Sequence, residues 1–144
     1  MKFRRGMLGL LLLAAFISTS AFSCSKHQVV VAEHDFKVGV QAAQTIELNE
    51  FKAGNISPAF HQEFESTIFK VAQVGEQVSK DLAANASNTT IVAELSTIAA
   101  SLQTLVNDGA IGVKNPTTQA NLNTVLQAAI ALVQNLETSL GGKI

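Results

Sequence analysis

Between residues 60 and 82 the positions Phe60, Phe64, Ile68, Val71, Gly75, Val78 and Leu82 recur at intervals of 4, 4, 3, 4, 3 and 4. Only a helix of about 3.6 residues per turn places such a set on one face; a strand would send it to both. Glu63, Glu65, Gln73, Gln77 and Lys80 then fall on the other side, as a helix that buries one face requires. Just upstream, Ser57-Pro58 supplies an N-cap followed by a proline at the first helical position, where its missing N–H costs nothing. The segment Asn85 to Thr89, rich in side chains that compete for backbone hydrogen bonds, closes a helix predicted over 58–84.

Three further segments carry the same period. Val29, Ala32, Phe36, Val40 and Ala43 predict a helix over 28–52, stopped by Ala53-Gly54-Asn55. Ile91, Leu95, Ile98, Leu102 and Leu105 predict one over 90–107, ended by Asn107-Asp108-Gly109 and followed by a loop from Ala110 to Lys114. Asn115-Pro116 repeats the cap-then-proline start, and a fourth helix over 116–140 places Leu122, Val125, Ala129, Leu132, Leu136 and Leu140 inward before Gly141-Gly142. Four amphipathic helices on short polar loops predict an all-α antiparallel four-helix bundle. At about 1.5 Å per residue the third helix would be the shortest, near 27 Å against roughly 37 Å for its neighbours.

The first residues are of another kind. Lys2, Arg4 and Arg5 precede an apolar run from Met7 to Ile17, and Ser18-Thr19-Ser20 then turns polar, the order of an export leader. Even extended to Phe22 the run is about 16 residues, short of the roughly 20 that span a bilayer as a helix. Ala21-Phe22-Ser23-Cys24 closes it and resembles the lipobox of bacterial lipoprotein precursors, with Ala21 where Leu is commonest and Phe22 where a small residue is usual. The resemblance covers the leader alone. It implies cleavage before Cys24, a diacylglycerol thioether on the Cys24 sulfur and acylation of the new amino terminus. Several acyl chains anchor firmly, at about 0.8 kcal/mol per buried methylene. Ser25 resembles the outer-membrane sorting class. Ala21-x-Ser23 also meets the small-x-small rule of a general signal peptidase, which would cut the same bond and release a secreted chain. The expected organisation is a signal peptide over 1–23, a short tether over 24–27 and a single helical domain over 28–144.

Loss of the three basic leader residues changes the formal net charge from −1 to −4 and leaves no arginine, which argues against nucleic acid as a partner. The chain has no Trp or Tyr, so the aromatic platforms with polar handles that serve sugar recognition are missing. Its single cysteine rules out an intramolecular disulfide.

Chemical motifs are sparse. A bundle metal site calls for Glu-x-x-His pairs on facing helices, and the sequence has none. His27 and His34 share a helix face seven residues apart, while His61-x-Glu63 is badly spaced for one face and Glu65, four residues on, reads as a partner for a surface histidine. Glu47 and Glu50 read as an exposed acidic face, and the abundant Ser and Thr as caps and polar stripes. No catalytic residue, cofactor site or metal site is therefore predicted; Cys24 is the one assigned position, for lipid attachment. The expected function is a non-catalytic, membrane-tethered envelope protein that faces the periplasm from the outer membrane and self-associates or binds an envelope partner. The alternative is a secreted or periplasmic carrier of a small apolar ligand, with small residues such as Gly39, Ala43, Gly75, Ala99 and Ala129 leaving room between the helices.

Overall fold

The computed structural model describes residues 26–141; the leader, Cys24 and the last three residues lie outside them. The chain forms four helices, α1 (Lys26–Lys52), α2 (Pro58–Ala83), α3 (Asn88–Gly112) and α4 (Pro116–Ser139), packed as the expected all-α bundle. Caps fix three of the starts. The Ser57 side chain accepts from the Phe60 amide, Ser87 from that of Thr90, and Asn115 from those of Thr117 and Thr118. Each satisfies amides that the first helical turn leaves without a partner. Gly54, at φ +78°, turns the chain out of α1 in a conformation that a side chain would oppose.

One boundary differs from the expectation. α3 does not stop at Asn107-Asp108-Gly109 but continues to Gly112, so it is 25 residues long and matches its neighbours. The reason is tertiary: Gly109 and Gly112 are buried beneath the Phe60 ring, and that contact holds the last turn in helical form.

Phe64, Val71, Leu102, Leu105, Leu122, Leu126 and Val133 are the fully buried centre. α3 packs most extensively on α4 and next on α2, whereas α1 rests mainly on α4 and only lightly on α2. Because α4 serves two partners, its buried set is wider than a single stripe: Leu122, Val125, Leu126, Ala129, Ile130 and Val133 are buried, while the predicted Leu132 is only half-buried. By length and composition α3 is apolar enough to cross a membrane, with mean hydropathy 1.3 over its most apolar window. In this fold Ile91, Leu95, Ile98, Leu102 and Leu105 are instead spent on the core.

The two ends of the bundle are built differently. At one, the loops after α1 and α3 are joined by backbone: Ile56 and Val113, both buried, form an isolated β-bridge. The Ser57 amide donates to the Gly112 carbonyl at 2.9 Å and the Lys114 amide to that of Asn55 at 2.8 Å. At the other, Glu33 and Phe36 of α1, Leu82 of α2, Leu95 of α3 and Leu136 of α4 surround an apolar cavity of about 40 Å³.

Candidate functional site

The inward face of α1 continues past Ala43, and the next position on it is Glu47. The expectation of an exposed acidic face at Glu47 and Glu50 is therefore corrected. Glu47 is 0% exposed. Glu50 is half-buried, accepting from Asn55 Nδ2 at 2.7 Å and from the Thr118 hydroxyl at 2.9 Å. The helical period carries both carboxylates onto the face that docks against the starts of α2 and α4.

His61, on the first turn of α2, was expected to pair with Glu65 at the surface. Its partner is instead Glu47: Nδ1 of His61 and Oε1 of Glu47 share a hydrogen bond of 2.8 Å. The Phe51 ring stacks on the imidazole with centroids 3.8 Å apart and planes 10° from parallel, fixing the orientation of a side chain that is 26% exposed. Glu65, exposed one turn further along α2, completes a cluster: one ligand atom from each of Glu47, His61 and Glu65 lies within 4.8 Å of the other two.

The second oxygen of Glu47, Oε2, is buried with no hydrogen-bond partner. Leaving such an acceptor unmatched costs about 1–3 kcal/mol or more. Burial raises the Glu47 pKa from its ordinary value; the His61 hydrogen bond and charge pull it back down, and the nearby Glu65 adds to the rise. The carboxylate is thus held where its charge is poorly solvated and only half answered.

Comparison of the chain with protein-family models, curated proteins and solved structures gives no match.

An imidazole between two carboxylates is suited to holding a proton or a cation. His34 does not join it: it is exposed, its Nδ1 3.5 Å from Asp35 Oδ1. Cys24 and the side chain of His27 lie outside the described residues. A sequence signal for Glu47 did exist, since it follows Ala43 by four residues on the apolar stripe. The contact from Glu50 to Thr118 spans 68 residues and had none.

Proposed function

We propose that the chain is a non-catalytic cell-envelope protein, held at the membrane by a lipid on Cys24 and acting as a helical scaffold, spacer or partner-binding module. The observation that carries this reading is the order of the first residues, a basic start and an apolar run closed by Ala21-Phe22-Ser23-Cys24 at the single cysteine of the chain. The polar side chains support a structural role. Hydroxyls of Thr45, Ser79, Thr97, Ser101, Thr104, Thr124 and Thr138 donate to carbonyls one turn back, so they serve their own helices.

The carrier reading is the weaker one. The cavity of about 40 Å³ between the helices has room for only a few water molecules, and the larger space of about 430 Å³ beside Gln73, Gln77, Thr90 and Glu94 is a groove open to solvent, not an enclosed pocket that would bury an apolar ligand. Intact mass spectrometry of the membrane fraction from a bacterial host tests the proposal. The expected species begins at Cys24 and carries acyl mass, and Cys24→Ala loses both the mass and the membrane association. An unmodified chain in the soluble fraction would overturn the anchor.

A further inference from the structure

The contact of α1 on α2, far thinner than those of α3 on α4, α2 on α3 or α1 on α4, is crossed by a carboxylate, an imidazole and a second carboxylate. We propose that Glu47, His61 and Glu65 bind a divalent transition-metal ion of the zinc class, with water completing the coordination, and that the ion staples α1 to α2. The proposal stands independently of any lipid at Cys24.

The donor set selects the ion. One nitrogen and two carboxylate oxygens match the borderline character of Zn²⁺; Ca²⁺ asks for six to eight oxygens, and softer ions ask for thiolates. The geometry is close to closure. Bonds of about 2.0–2.2 Å around a tetrahedral ion put ligand atoms roughly 3.3–3.5 Å apart. The present spread of 4.8 Å therefore has to shrink by no more than roughly 1.5 Å. Glu65, exposed on α2, supplies that movement, while the 2.8 Å contact between His61 Nδ1 and Glu47 Oε1 opens by roughly 0.5 Å to admit the ion.

The second, independent sign is Glu47 Oε2, a fully buried acceptor without a partner in the same cluster. A cation is the counterpart that this oxygen lacks. The hydrogen bond between His61 and Glu47 is then the resting contact of the metal-free site. On binding, the ring takes the tautomer protonated on Nε2, and Nδ1, which already faces the carboxylate, becomes the ligand.

The test is calorimetric titration of zinc chloride into the purified full chain carrying Cys24→Ala, which removes the thiol as a competing ligand. One ion per chain is expected, with a rise in melting temperature. Adding Glu65→Gln, an exposed change that leaves the contact between Glu47 and His61 in place, is expected to weaken binding about tenfold or more and to abolish the rise. Its circular dichroism and metal-free melting should match the parent. Adding His34→Ala instead is expected to change nothing. No zinc uptake, binding that Glu65→Gln leaves within about twofold, or binding lost with His34, would each overturn the proposal. His61→Ala should also lose the ion; should it fail to fold, Glu65→Gln still decides.

Discussion

A methyl group built on Gly112 would lie 2.3 Å from Cβ and 2.5 Å from Cγ of Phe60. Cβ is fixed to its backbone and has no rotamer with which to escape, so Gly112→Ala must push α2 and α3 apart. The expected cost is about 1–3 kcal/mol in chemical denaturation, with an unchanged m-value. Gly109, three residues earlier, is the contrast. A Cβ there would meet the Phe60 ring at 3.6 Å, an ordinary contact, so Gly109→Ala should gain roughly 0.5–1 kcal/mol from helix propensity. The same pair shows where the sequence misleads. Asn107-Asp108-Gly109 carries the local chemistry of a helix stop, and only the phenylalanine ring from another helix tells that the helix runs on to Gly112, where a glycine is needed for close approach. Glu47 misleads in the opposite way: its residue type points to solvent, while its place four residues after Ala43 points to the core, and the period prevails.

Between elements, α2 and α3 bring carboxyl groups together. Burial, then a hydrogen bond and repulsion from Asp81, raises the Glu94 pKa from its ordinary 4.5. A carboxyl whose pKa is higher folded than unfolded contributes stability below the unfolded value and loses it as pH climbs through the folded one. Unfolding free energy should therefore fall as pH rises from about 4.5 toward 7, and Asp81→Asn should make that decline shallower. The gain at neutral pH should be roughly 0.2–1 kcal/mol, the scale of exposed pairs, read from thermal or urea melts across the range. Glu33 and Glu76, lowered by Lys37 and Lys80 on their own helices, act in the opposite sense, but they are surface pairs that salt screens. Helix starts such as Ser57-Pro58 and Asn115-Pro116 were legible because a cap is a local event. The meeting of Asp81 with Glu94 depends on how two helices align, which no local pattern specifies.

For the molecule as a whole, stability is concentrated in the side chains that α3 and α4 bury together. Leu102→Ala should cost about 2–5 kcal/mol, whereas Phe69→Ala, at a position already 65% exposed, should stay within roughly 0.5 kcal/mol. Four helices and most of their inward residues follow from periodicity alone. Which helices adjoin does not, because an apolar face states that it needs a cover without stating whose. The backbone clasp between Ile56 and Val113 has a mechanical consequence. It binds the bundle at one end, while α1 starts and α4 finishes near the other. A pull applied at the start of α1 and resisted at the end of α4 therefore loads their interface one turn at a time. The helix peels like a strip lifted from its loose edge, and the tear arrests where the two loops are knotted together.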